Sequence, residues 1–338
     1  MALTPLNFPN APAIGDTWPN PPVTGQPTYT WDGADWISKF ALGKAYVPLD
    51  GSTAMTGLLT LSGDPTAALQ AGTKQYIDGG DNAAIALATG AMQGHLFGLT
   101  MSTAGSSTTM TVAPGAACDS SGVRLLKLAA AMAKTTAAWA AGGPAGGLDT
   151  GVIAASTWYH WYLIGNPTTG AVDLVFSATA TPQNGPTLMP TGFTLFRRIG
   201  SMWLNASSQW LLFHQLGDEF LLDAGFPLFS SVVSDTVAHL LAVMVPPNVQ
   251  GWVLLTGQIN GNVEARMYIT SPDKADELAG VGNVNVGSYG SASTTAVGAF
   301  AISVRTSTSQ QIRYRAVAAG STLYLASAGW IDTRGRLY

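Results

Sequence analysis

Apolar residues in this chain come in short runs, mostly alternating with polar ones and ending at Gly, Pro, Asn or Ser. Trp158–Ile164, the turn Asn166–Gly170 and Val172–Phe176 predict an antiparallel hairpin. Further strands are expected at 193–202, 210–215, 219–222, 237–245, 251–257, 263–270, 297–305, 310–317 and 322–327. Ile312-Arg313-Tyr314-Arg315 and Leu323-Tyr324-Leu325 keep a period of two, the mark of a sheet with one buried face. Upstream, Leu96, Leu99, Met101, Met110 and Val112 lie in Thr/Ser-rich strands, with turns at Pro114-Gly115 and Asp119–Gly122. Residues 142–151 contain too many glycines for a helix and are expected to be a loop. The pattern predicts a mainly β protein built of antiparallel β-sandwich domains at 94–225 and 226–338, the second jelly-roll-like.

The first 93 residues read differently. Residues 1–50 hold eight of the 19 prolines, and Tyr29-Thr30-Trp31-Asp32-Gly33-Ala34-Asp35-Trp36 predicts a hairpin with Asp32-Gly33 at its turn. Tyr29, Trp31 and Trp36 supply apolar area to a module too small for an ordinary core. Over 51–93, Met55, Leu58, Leu59 and Leu61 between glycines predict brief strands, and Asp64-Pro65 starts a turn. Thr73 is a candidate N-cap for a helix from Lys74 to about Gln93. Ile77, Gly80, Ala84, Leu87 and Ala91 fall on a heptad track, a thin seam that suits a surface helix or a short coiled coil.

Composition narrows the class. The 338 residues are 10% charged with a net charge of −4, and the longest basic block is Arg197-Arg198, so no nucleic-acid partner is expected. With little charge, subunit contacts can hide much apolar surface. One cysteine, Cys118, rules out an intrachain disulfide and a Cys-based metal site within one chain. No apolar stretch approaches a membrane span, and Met-Ala-Leu-Thr-Pro-Leu-Asn lacks the features of an export signal, so synthesis in a cytosol is expected.

The segment from Ser52 to Asp78 resembles a linker of tailed-bacteriophage tail fibres. Met55-Thr56-Gly57-Leu58-Leu59, Gly63-Asp64-Pro65 and Thr73-Lys74-Gln75-Tyr76-Ile77-Asp78 follow one another in the order of that segment. The proline-led loop Asn7–Trp18 and the Tyr29–Trp36 hairpin resemble a second motif of such proteins. Residues 100–225 carry similar words: Gly-Gly-Leu-Asp-Thr-Gly, Ser-Thr-Trp-Tyr-His, Phe-Arg-Arg-Ile-Gly-Ser and Gly-Asp-Glu-Phe. Gly329–Arg336 looks like a fibre ending. In such sequences a strand runs into a loop ending in Ala-Trp, which makes 123–140 two strands despite its alanines, with Lys134, Thr135 and Ala137-Ala138-Trp139 as the matching residues.

The resemblance implies a virion protein, synthesised in the host cytoplasm, with other phage structural proteins and two further copies of itself as partners. It implies an attachment module at 1–50, a trimeric coiled-coil neck at 51–93 and a receptor-binding domain at 226–338. Tyr29, Trp31 and Trp36 are then virion-attachment candidates, or simply staple a mini-domain. A head-fibre or baseplate decoration protein, binding only other virion proteins, is the alternative.

No enzyme or cofactor is expected. His95, His160, His214 and His239 form no ligand-spaced pair, and no Gly-x-Ser-x-Gly elbow is present. Asp218 and Glu219 are neighbours on a predicted strand and would face opposite sides, which does not suit the paired carboxylates of a polysaccharide depolymerase. Aromatics and arginines are the better binding candidates. Trp158 and Trp161 fall on opposite faces of one strand; one face is core, the other a subunit interface or a platform for host glycan. Arg305, Arg313 and Arg315 alternate with Val304, Ile312 and Tyr314 and are expected to face out. There they would meet the phosphates or acidic sugars of lipopolysaccharide, or the acids of a neighbouring subunit.

Overall fold

The computed structural model describes residues 7–24, 26–39, 94–261, 265–277, 288–291 and 297–336. It divides into two compact units, Met1–Tyr76 and Ile77–Tyr338. The expected linker strands and helical neck at 51–93 lie outside the described residues. Among the described residues the regular structure is strand, apart from one 3-10 turn at Pro182–Asn184.

In the first unit, β1 (Thr17–Trp18), β2 (Thr28–Trp31) and β3 (Trp36–Lys39) form an antiparallel sheet in that order. The β2–β3 hairpin closes with Trp31 opposite Trp36. Asp32 holds its turn, its carboxylate accepting from the backbone N–H of Ala34 and Asp35 at 2.8 Å each, while Gly33 takes a φ of +108°.

The second unit begins with β4 (Leu96–Gly98), β5 (Met101–Ser102), β6 (Thr109–Val112), β7 (Gly115–Cys118), β8 (Leu125–Leu128), β9 (Met132–Ala138), β10 (Ala145–Leu148), β11 (Thr157–Gly165), β12 (Val172–Ser177) and β13 (Leu195–Leu204). Then come β14 (Phe213–Leu216), β15 (Glu219–Val232), β16 (His239–Ala242), β17 (Trp252–Asn260), β18 (Ala265–Thr270), β19 (Ser288–Ser291), β20 (Val297–Arg305), β21 (Gln311–Ala316) and β22 (Thr322–Ile331). A small sheet β4-β7-β8 accompanies a seven-stranded sheet ordered β13-β11-β12-β10-β9-β6-β5. The alanine-rich run does form two strands, β8 and β9.

The glycine run 142–151 is not all loop. It contains β10, which pairs in parallel with both β9 and β12 and makes the sheet mixed. Gly146 and Gly147 are strand residues because larger ones would not fit. A Cβ on Gly146 would lie 1.9 Å from the Ala138 carbonyl oxygen, and one on Gly147 2.8 Å from the Phe176 ring. Beside them Lys134 is fully buried, its ammonium 2.8 Å from Asp173 and donating to the Ala140 and Gly142 carbonyls at 2.7 Å. That closed network anchors β9 to β12 and the loop between β9 and β10.

Strands β15 to β22 pair as a nested series: β15 with β22, β16 with β21, β17 with β20, β18 with β19. They split into sheets β15-β22-β17-β20, extended by β14, and β16-β21-β18-β19. A long hairpin folded over on itself in this way is a jelly roll. Val253, Leu255, Leu323 and Leu325 of one sheet share a core with Met267, Ile269 and Ile312 of the other.

The domain boundary expected at 225/226 falls inside β15, so no linker divides the two halves. The same hydrophobic cluster extends into the first half through Trp158, Trp161, Phe176 and Trp210. The physical reason is the length of β15. Its start pairs with β14 and with Gly329–Ile331, and its remainder pairs with Thr322–Ser327.

Candidate functional site

The N-terminal aromatics form one cluster. Phe8 stacks on Trp36 at 5.1 Å between ring centroids, meets Tyr29 edge-on at 5.0 Å and touches Trp18 at 5.0 Å; Trp31 lies 5.7 Å from Trp36. Tyr29, Trp31 and Trp36 are half-buried, so the cluster holds the hairpin while keeping aromatic surface on show. Phe8 is the organising ring that the hairpin pattern alone did not single out.

The strand arginines alternate as expected: Val304, Ile312 and Tyr314 are buried and the arginines point away from that core. They are not idle. Arg305 binds Asp273 at 2.5 Å, Arg313 donates to the carbonyls of Lys274 and Pro272 at 2.8 and 3.1 Å, and Arg315 binds Asp276 at 2.5 Å and donates to Thr236 O. The acids expected from a neighbouring subunit come from the loop after β18 of the same chain. The three arginines fasten that loop to the sheet. At partly exposed sites such pairs stabilise weakly.

Trp158 and Trp161 occupy opposite faces of β11 and both are buried, so neither forms a glycan platform. Trp158 packs edge-on against Trp330 of β22 at 5.2 Å, and Trp161 packs on Phe176 and Trp210 at 4.8 and 5.5 Å. The second face, which could have been solvent-facing in an isolated sheet, is covered by β22 and its neighbours. Between the two tryptophans, His160 is also buried.

His160 belongs to a polar cluster that the sequence did not announce. Its Nδ1 lies 2.8 Å from the Ser201 hydroxyl, which also accepts from Arg198 at 3.2 Å. Arg198 makes a two-pronged pair with Asp332, both bonds 2.6 Å, with both side chains buried. Asp332 also accepts from the backbone N–H of Arg334 at 2.8 Å. Burial pushes the Asp332 carboxyl up, but Arg198, that N–H and His160 outweigh it and leave its pKa below the ordinary value. Arg334 and Arg336 both pair with Asp218. The signal that could have found this cluster is Arg197-Arg198 itself: an Arg pair flanked by Leu195, Phe196 and Ile199 on a strand buried on both faces must have partners inside.

Burial first, then the like charge of Arg198, press the pKa of His160 down to about 3, with Asp332 opposing. A depressed histidine stabilises the fold while it stays neutral. The unfolded chain takes up a proton below about pH 6.5 and the folded chain only near 3, so this contribution is full above 6.5 and declines between those values. The expected slope is about 1.4 kcal/mol per pH unit. Urea unfolding from pH 7 to 4 should show His160→Gln losing stability less steeply than the parent chain; equal slopes would contradict the assignment.

A groove of about 410 Å³ at the β15, β17, β20 and β22 strands is lined by Phe229, Gln258, Phe300 and Tyr324. The adjoining part of β15 is exposed. Asp223–Pro227 all face solvent, and Phe226 and Val232 are 38% and 55% exposed. Beyond Leu222, β15 has β22 as its strand neighbour on one side and no paired strand on the other among the described residues. Among these residues, too, no group of three metal-ligating side chains converges, and no helix is long and apolar enough to cross a membrane. The chain matches no family model and no curated protein.

Proposed function

We propose that this chain is a homotrimeric appendage protein of a tailed-phage virion, a tail fibre that attaches to the host surface by non-covalent binding. The observation that carries the reading is the ordered motif series from Ser52 to Asp78, joined by the Asn7–Trp36 motif upstream. The N-terminal module, with its half-buried aromatic cluster, would attach the fibre to other virion proteins. The jelly roll would present the contact surface, an arrangement known among capsid and lectin domains and used here as an analogy of fold.

The apolar, one-sided stretch of β15 supports assembly, because such an edge in water invites a partner. Pro227 removes one edge N–H, so the partner would cover side chains in preference to adding a strand. Light scattering of the full chain should give about three times the 34.9 kDa chain mass, and Phe226→Asp with Val232→Asp should shift it toward one. A parent chain that runs at 34.9 kDa overturns the trimer. Purified protein should also block phage adsorption; a trimer that incorporates into virions yet leaves adsorption untouched identifies a decoration protein instead.

A further inference from the structure

Arg197 and Arg334 are 4% and 3% exposed, and together with Arg198, Ser120, Pro182 and Gln183 they line a cavity of about 140 Å³. Arg197 Nε and Nη2 and Arg334 Nη1 are buried donors without a hydrogen-bond partner in the protein. The nearby carboxylates are committed elsewhere. Both oxygens of Asp332 go to Arg198, and Asp218 takes Arg334 and Arg336. After burial itself, the charges acting on Arg197 are those of Arg198, Arg336 and Arg334, all of its own sign. The opposing group is the Cys118 thiol, which burial holds in its neutral form.

A guanidinium cannot escape this position as a lysine would. Arginine stays protonated in proteins, and burial, opposed by Asp332 and helped by Arg198, lowers the Arg334 pKa only to about 10. An uncompensated buried charge is strongly unfavourable, so the arrangement calls for a counter-ion within the cavity. At roughly 30 Å³ per water the space holds on the order of four waters, enough for a tetrahedral oxyanion and too little for a sugar ring. Three unpartnered N–H donors on two planar forks suit the oxygens of such an ion.

We propose that the cavity between β13 and the segment after β22 binds a phosphate- or sulfate-type oxyanion. The ion would complete the charge balance where the C-terminal segment locks onto the first half of the unit. The same group carried on a larger molecule has the same chemistry, and a sugar phosphate distinguishes the two sources.

The test is calorimetric titration of the full chain with inorganic phosphate, sulfate and glucose 6-phosphate in chloride buffer of matched ionic strength. The expected result is saturable binding of one inorganic ion per chain, weakened at least tenfold in Arg197→Gln. Binding of the inorganic ions alone identifies a free ion, and equal binding of the sugar phosphate identifies a group on a larger ligand. If Arg197→Gln does not fold, Arg197→Lys serves, keeping the charge while losing the fork. Absence of saturable binding by the parent chain overturns the proposal. So does a phosphate response that is the same in parent and variant, which reduces it to a general salt effect.

Discussion

Replacing Asp332 by Ala is expected to destabilise the second unit by about 3–5 kcal/mol, the range for removing one partner of a buried ion pair. Arg198 would lose both of its 2.6 Å bonds and remain buried with its charge. Denaturant unfolding at neutral pH measures the loss directly. The double change Arg198→Met with Asp332→Leu should recover much of it, since replacing a whole buried pair with apolar groups is often neutral. A single variant within 1 kcal/mol of the parent would mean that water reaches the pair and that the C-terminal segment is held by packing alone.

Trp161→Ala has a comparable expected effect, about 3–5 kcal/mol, because it empties a fully buried aromatic site. Phe176 and Trp210 would each lose a ring partner, and the stiff sheets around them leave little room to collapse into the gap. Thermal unfolding followed by near-ultraviolet circular dichroism reports both stability and the environment of the remaining aromatics. A variant as stable as the parent would restore Trp161 as a surface residue and a binding candidate.

Much of the strand order was legible because its signal is local. Alternation in Ile312–Arg315 and Leu323–Leu325 named the buried face, and the Asp32-Gly33 and Asn166–Gly170 turns fixed hairpins whose partners are near in sequence. What escaped depends on partners far along the chain. Nothing near Gly146 says that a strand from 132–138 will come within a methyl group of it. Nothing near Trp158 says that Trp330 covers its face, and so a core residue passed for a platform. The outward arginines were placed correctly, but their acids, Asp273 and Asp276, sit 32 and 39 residues back in a loop, where alternation gives no information. The arginine-lined cavity joins residues 120, 197 and 334, three places that share no local pattern.

The nested pairing also bears on how the chain becomes a protein. β22, the strand latest in sequence, is not at the margin of its sheet; it lies between β15 and β17 and contacts both along most of its length. A chain emerging from the ribosome must therefore hold β15 and β17, with their apolar faces made, until the segment that separates them arrives. Such long-range closure is slow and leaves edges open to wrong partners meanwhile. Loss of β22 would remove the middle of this sheet and leave β14 and β15 without a strand to join them to β17 and β20.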